Sequence, residues 1–562
     1  MKLVRFKLNS KFRSLPKDFE LIFREKNSLT NEKLNQFHPY CFAGLNGSGK
    51  SNVLEALSLI FFYLECSFSK YLPDEFKNSF ERSQIPFSFE LEYLLYKNDE
   101  DLMIPIKIIK PESKPIELYR TTVNNEIIRV STIPIREGIN KSNAIAKQYL
   151  PEIVIGYSSG ENEILSLPFL KTRLIHLDNY KQSLISNEEY DKKPLTSLVY
   201  IDYGMSQAVL LANFLMQKEF DDEKLDLLYP IKEILKIDKL HSFRLVIKDF
   251  IVKNEESSSV KSKELLSQLK EKNKNSIIDK LKRCATSSFL TLDNELILDY
   301  YVNRETRKAF QGNFTSAYDL FQNLQTLLEL NLHSINKNIK KEIYTTDSMY
   351  VSEKMPKPDG KDLVFYFNNF LLLKKGEEKP VLIKNLSDGE HQFLHSMGIC
   401  LMLKDKTALL LLDEPETHFN PDWRSKFISI LKDCLERGES NNLIRDILIT
   451  SHSPFIISDC FPDKVVVFKK DEKPINAKDM KFNTFGTSVN IVLEEIFKKE
   501  ESISDYSLSE LNKIKNREFK TIKDIQKAKE DSRLLGDSPE KVFLFRDLLL
   551  KEEELKNKGL DA

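Results

Sequence analysis

The sequence predicts an α/β fold: a phosphate-binding head split by a helical insertion, carrying an antiparallel β lobe and followed by a C-terminal helical tail. Three observations predict it. A short apolar strand at Tyr40–Ala43 runs into a glycine-rich loop and then a helix, the order that presents backbone N–H groups to an anion. A continuous apolar run, Ala408–Leu412, ends in paired carboxylates and reads as a central parallel strand buried on both faces. Between them lies a long stretch whose apolar residues recur at helical spacing.

In chain order, Leu3, Phe6 and Leu8 mark a first strand and Phe19–Phe23 a second, around the turn Phe12-Arg13-Ser14-Leu15. Beyond the glycine-rich loop, Val53, Leu57, Ile60 and Leu64 share one helical face. Residues 85–157 alternate apolar and polar positions in short runs broken by Pro, Asn and Asp, which predicts an antiparallel meander, and Glu152–Tyr157 then reads as a buried strand. From Met205 to Ile343 the period is helical, and strand patterns resume at Leu363–Leu373. The expected organisation is a first half of the head at 1–204, a helical insertion at 205–345, a second half at 346–475 and a helical tail at 476–562. In that tail Val542, Phe543, Phe545, Leu548 and Leu549 form an apolar cluster suited to packing or to docking a partner.

At 562 residues the chain is long enough for two or three structural units. Its 84 basic and 85 acidic side chains nearly cancel, so no overall field draws it to nucleic acid or to an anionic membrane. A DNA contact has to come from a local patch. The stripe Lys261–Arg283, with eight basic and three acidic residues, is the candidate, against the plainer reading of a solvated helix face. Six scattered cysteines form no CxxC pair, and the N-terminus lacks the apolar run of a signal peptide. Both point to a reducing, cytoplasmic setting and away from a membrane.

Gly44-Leu45-Asn46-Gly47-Ser48-Gly49-Lys50-Ser51 matches the GxxxxGK[ST] pattern between a strand and a helix. Gly44, Asn46, Gly47, Ser48, Gly49, Lys50, Ser51 and Asn52 are the expected nucleotide-binding set, with Lys50 on the outer phosphates of ATP and Ser51 on Mg²⁺. Asp413 and Glu414 end their strand at the sheet edge that faces such a nucleotide. Asp413 is placed to hold Mg²⁺, and Glu414 to orient and polarise the attacking water. Ser387, Gly389 and Glu390 open a helix and make a second anion site. This chain already has its phosphate loop, so the second site calls for a second nucleotide. His452, after the apolar strand Ile447–Ile449, is placed to touch a γ-phosphate or the attacking water.

GLNGSGKS, LSDGE, LLLLDEPETHFNP and ITSHSP, in that order, resemble the Walker A, signature, Walker B with D-loop, and switch-histidine motifs of ABC-type P-loop ATPases. The opening FRSL, the DEPExH form of Walker B and the TSHSP form of the switch resemble the RecF, SMC, OLD and PtuA group. Within it, the moderate insertion and trailing helices look most like PtuA of the Septu and retron-linked systems and other restriction-associated defence ATPases. That resemblance implies an ABC-type head that binds ATP and Mg²⁺ between two copies and hydrolyses ATP. The role it implies is a sensor or regulatory subunit that controls a separate, HNH-like nuclease, with DNA as a further candidate ligand. A RecF-like genome-maintenance ATPase and an ATP-stabilised scaffold with little turnover stay open as alternatives. The group's Q-loop glutamine has no clear counterpart: Gln148, Gln182 and Gln207 are candidates, as is the loop Ser158–Glu163.

Overall fold

The computed structural model describes residues 1–25, 37–70, 72–77, 80, 87–97, 102–122, 124–135, 142–159, 165–186, 197–217, 226–253, 262–270, 276–347, 355, 358–404, 406–436, 445–470, 472–499 and 501–557. It divides into two compact units, Met1–Asn483 and Thr484–Ala562.

A seven-stranded sheet organises the first unit. Its order is Ile475–Asn476, Val465–Phe468, Tyr40–Gly44, Asp446–Ser451, Ala408–Asp413, Ile153–Ser158 and Leu198–Tyr200. All neighbours pair in parallel except Ile475–Asn476, which lies antiparallel at one edge. The central strands are buried throughout, which is why they read as unbroken apolar runs. Register sets Asp413 beside Thr450 on one side and Ser158 on the other, and Ser451 beside Ala43. The chain thus brings residues several hundred positions apart to one edge of one sheet. The helix Lys50–Phe68 packs on these strands and on the helix Ser166–Ser186. It is the one helix among the described residues long and apolar enough to cross a membrane, and most of it is buried inside the protein.

The predicted meander supplies four strands of a six-stranded antiparallel sheet, in the order Glu20–Ile22, Lys2–Leu8, Phe89–Lys97, Leu102–Lys110, Glu117–Thr121 and Ile127–Val130, while Ile153–Ser158 joins the large parallel sheet instead. Phe12 and Leu15 exchange backbone hydrogen bonds of 3.0 and 2.8 Å, closing the expected turn with Arg13 in the left-handed region at φ 51°.

The segment 205–345 corrects the sequence reading, which expects a helical insertion. Helices Tyr203–Met216, Ile277–Cys284, Arg304–Asn313 and Ala317–Glu329 are present, but so are the strands Ile237–Lys248, Ile251–Lys253, Ser262–Glu264, Ser287–Leu290 and Glu295–Tyr301. Ile237–Lys248 is central in a five-stranded antiparallel sheet, flanked by Glu295–Tyr301 and by Phe365–Lys374. Three register shifts against Phe365–Lys374 explain why it escapes a period-two reading. Each irregularity changes which face the following side chains occupy, so strict alternation is lost. The short strand Ile475–Asn476 completes the large sheet, so the second unit begins at Thr484 rather than at 476.

That second unit has its own apolar core of Leu511, Ile514, Ile525, Ala528, Leu544 and Leu548. The helix Pro539–Asn557 thereby splits the apolar cluster read from sequence: Leu548 faces this core, while Val542, Phe543 and Leu549 are exposed, with Leu550 beside them.

Gly44 fixes the junction of strand and loop. Its φ is +140°, and a Cβ there would lie 2.2 Å from the Phe468 carbonyl oxygen on the neighbouring strand. Gly47 also has positive φ, +74°, but open space around it. Gly44→Ala is therefore expected to cost about 2–4 kcal/mol and Gly47→Ala about 1 kcal/mol. Thermal unfolding should show the Gly44 variant melting well below the Gly47 variant; equal midpoints would contradict the packing described.

Candidate functional site

The loop Leu45–Gly49 lies between the buried strand Tyr40–Gly44 and the helix Lys50–Phe68, with Gly49 at φ +100° as the helix N-cap. Leu45, Asn46 and Gly47 are exposed at its rim. Lys50 is 4% exposed, and its ammonium donates to the Gly44 and Leu45 carbonyls at 2.9 and 3.0 Å. Burial pushes its pKa down to about 8, against the opposing pull of Glu414 and Asp413. The Ser48 hydroxyl is buried with no hydrogen-bond partner among the described residues.

Asp413 is fully buried at the end of its strand. Its Oδ1 accepts from Ser51 Oγ at 2.7 Å and from Thr450 Oγ1 at 2.6 Å. Burial raises its pKa above the ordinary carboxylate value despite those hydrogen bonds. Glu414, next in sequence, sits in the left-handed region at φ 48°. Its N–H meets Thr450 Oγ1 at 3.0 Å, and its Oε1 lies 3.1 Å from His452 Nε2. The hydrogen bond with His452 holds the Glu414 carboxyl below its ordinary value. Both side chains are about one-third exposed, so they line an accessible edge.

Lys50 and Ser51, from one half of the chain, and Asp413, Glu414 and His452, from the other, thus form one cluster. Its donor set fits a magnesium–triphosphate group. A buried ammonium, a spare buried hydroxyl and two left-handed glycines suit phosphate oxygens, and the paired oxygens of Ser51 and Asp413 suit a hard cation that keeps most of its own water.

Other predicted residues stand elsewhere. The Asn52 amide is engaged by Ser14 Oγ at 2.6 Å and by Glu55 at 3.2 Å, so it fastens the Phe12–Leu15 turn to the phosphate-loop helix. Arg13 supports the same joint, bonding Glu55 at 3.1 Å and the Asp347 carbonyl at 2.6 Å. Ser387 is the N-cap of the helix Asp388–Met402 in a reciprocal capping box with Glu390. Glu390 also accepts from Lys374 at 2.8 Å, which makes it a brace of the helix end. Gly389 lies against the loop that follows Glu414: a Cβ there would be 2.8 Å from the His418 carbonyl. Gln392 accepts the His418 N–H at 2.9 Å from the same helix.

Of the candidate glutamines, Gln148 lies in the turn Ile145–Tyr149, Gln182 in the helix Ser166–Ser186 and Gln207 in the helix Tyr203–Met216. Ser158 does end a strand beside Asp413, and Ser159 Oγ contacts Thr417 Oγ1 at 2.9 Å. Gly160–Glu163 lie outside the described residues. So do Lys261 and residues 271–275 of the basic stripe. Lys270 pairs with Asp249, and Lys263 donates to the Leu184 carbonyl. Sequence reasoning missed Thr450, which joins Asp413 to Glu414, although it lies within the ITSHSP string.

A glycine-rich loop, a carboxylate pair and a histidine at the ends of adjoining parallel strands are the arrangement expected of an ABC-like ATPase head. Residues 240–458 match the family model described as AAA domain, putative AbiEii toxin, Type IV TA system. That span holds Ser387, Asp413, Glu414 and His452, while the phosphate loop precedes it. The chain is also similar to the Septu protein PtuA of Bacillus thuringiensis, with 25% identity over 127 residues, covering 22% of this chain and 29% of that protein. Motif order, family match and this likeness support an ABC-like ATPase domain.

The lowered Lys50 pKa gives a pH prediction. Only the ammonium form attracts phosphate, so affinity for ATP should be level below pH 8 and fall above it, by up to about tenfold per pH unit. Lys50→Arg, charged throughout, should remove that fall. Affinity measured by calorimetry from pH 7 to 9.5 checks both.

Proposed function

We propose that this chain is an ATP hydrolase that works as a paired, ATP-dependent sensor or regulatory subunit of a cytoplasmic antiviral defence system and controls a separate nuclease. The observation that carries it is the single sheet edge that collects Lys50, Ser51, Asp413, Glu414 and His452. On this reading the loop amides and Lys50 bind the triphosphate, and Ser51 and Asp413 hold Mg²⁺, which when bound supplies charge neutralisation on the phosphates. Glu414 orients and polarises the attacking water. His452, in contact with Glu414, steadies that carboxylate and faces the same edge.

The head is read as two half-heads, with the signature helix supplied in trans. Ser387 and Gly389 stand at a helix N-terminus whose hydrogen bonds are local, and a helix N-terminus favours an anion. A second copy bringing its own phosphate loop is the occupant this reading requires. The role in defence and the nuclease partner rest on the likeness to PtuA, and DNA remains a further ligand within the proposal. The exposed residues Val542, Phe543, Leu549 and Leu550 are proposed to dock the partner.

Lys50→Ala should weaken ATP binding by about 10- to 100-fold or more, because it removes a charge-assisted contact. Glu414→Gln should keep binding and lower turnover about 10²–10⁴-fold. Equal affinity in wild type and Lys50→Ala would remove the site assignment. Ser387→Arg should block turnover alone, yet recover part of it when mixed with Lys50→Ala. A mixed pair has one composite site with both lesions and one with none. Verified mixed pairs without any recovery would count against assembly in trans.

Phe543→Ser with Leu549→Ser should leave ATP turnover within about twofold of wild type, since exposed substitutions rarely disturb a fold. The same double variant should lose the nuclease that co-purifies with the wild-type chain. Retention of that nuclease would end the proposal.

A further inference from the structure

Three residues beyond Asp413 the chain buries another acid. Glu416 is 3% exposed and lies in the turn that follows the strand Ala408–Asp413. Its Oε1 accepts a hydrogen bond from the Ser451 hydroxyl. The oxygen of that hydroxyl in turn accepts the Ser453 N–H at 2.9 Å. His452 stands between those two serines, so one hydroxyl fixes the backbone on both sides of the histidine, and Glu416 fixes the hydroxyl.

The same turn carries Glu414. Thr417 Oγ1 donates to the Glu414 carbonyl at 2.9 Å, and the Phe419 N–H to the Glu416 carbonyl at 3.0 Å. This compact turn and the His452 turn therefore meet twice. They meet at the accessible edge through Glu414 and His452, 3.1 Å apart, and behind that edge through Glu416 and Ser451. The charged groups facing Glu416 are Glu414 and Arg424, which act through space. Its Oε2 has no hydrogen-bond partner among the described residues. A buried acid with one oxygen unsatisfied costs stability. Packing alone gives no reason for an acid there.

We propose that Glu416 is a positioning residue for ATP hydrolysis, holding the His452 turn against Glu414 through the Ser451 hydroxyl. The proposal rests on the ATPase reading above. Because burial pushes the Glu416 carboxyl up to about 7, glutamine is a close stand-in for it near neutral pH, keeping an acceptor oxygen and the same length.

The test compares wild type, Glu416→Ala, Glu416→Gln and Ser451→Ala in steady-state ATP turnover and in spectra of ring-labelled histidine. The His452 resonance is assigned by its loss in His452→Gln. In Glu416→Ala and Ser451→Ala, turnover number should fall about 10- to 100-fold with KM changed less than about threefold, as expected for a displaced catalytic group. The His452 resonance should move in both, and Glu416→Gln should restore rate and resonance. The double alanine variant should be no slower than either single one, because both break the same link. A folded Glu416→Ala protein with wild-type turnover and an unmoved His452 resonance overturns the proposal, as does a Gln variant that is no better than Ala. If Glu416→Ala does not fold, Ser451→Ala supplies the same two readouts and decides alone. A wild type without turnover, in which the resonance still moves and is restored by Gln, strikes the ATPase reading and leaves the positioning contact standing.

Discussion

Asp413 Oδ1 accepts hydrogen bonds from Ser51 at 2.7 Å and Thr450 at 2.6 Å, and through them ties together the phosphate-loop helix, its own strand and the strand Asp446–Ser451. Burying a carboxylate this completely costs several kcal/mol. Two hydrogen bonds to a charged acceptor, each contributing about 1.5–3 kcal/mol, offset much of that cost only while both hydroxyls stay in place. The geometry of Lys50, Glu414 and His452 is therefore conditional on the parallel register that sets Thr450 beside Asp413.

Around that oxygen the supports are arranged in rings. The Phe12–Leu15 turn is clamped to the phosphate-loop helix by Ser14–Asn52 and Arg13–Glu55, with Arg13 reaching on to the Asp347 carbonyl. On the far side, the turn after Glu414 is held to the helix Asp388–Met402 by the His418–Gln392 hydrogen bond and by the tight approach of Gly389 to His418. A displacement of the helix Asp388–Met402 thus reaches Glu414 through the turn Glu414–His418, a short mechanical path between the surface proposed for pairing and the proposed site of water activation. Coupling of this kind needs two arrangements of the linking turn that the bound nucleotide distinguishes.

Much of this site is legible in the sequence because its chemistry is local. The glycines of a phosphate loop, the acids that end an apolar strand and the histidine that ends another are each tied to their neighbours in sequence. What escaped was long-range or irregular. The contacts that Asn52 makes with Ser14, and that Glu390 makes with Lys374, have no trace in one dimension. Ile237–Lys248 hid inside a helical reading because its register shifts break alternation. Leu548 and Phe543 look alike in the tail sequence, but one faces the core of that unit and the other water.

The sequence by itself determined the strand–loop–helix that carries Lys50 and Ser51, the acidic strand end at Asp413 and Glu414, the antiparallel lobe and the absence of a strong net charge, since each follows from short-range pattern or composition. Only the tertiary structure decided that Thr450 bridges Asp413 and Glu414, that Glu416 reaches Ser451, and that Arg13 and Asn52 serve the phosphate-loop helix. Those contacts join segments 35 to 42 residues apart. They exist because strand order and register place them side by side, and neither order nor register is written in the local periodicity of a chain.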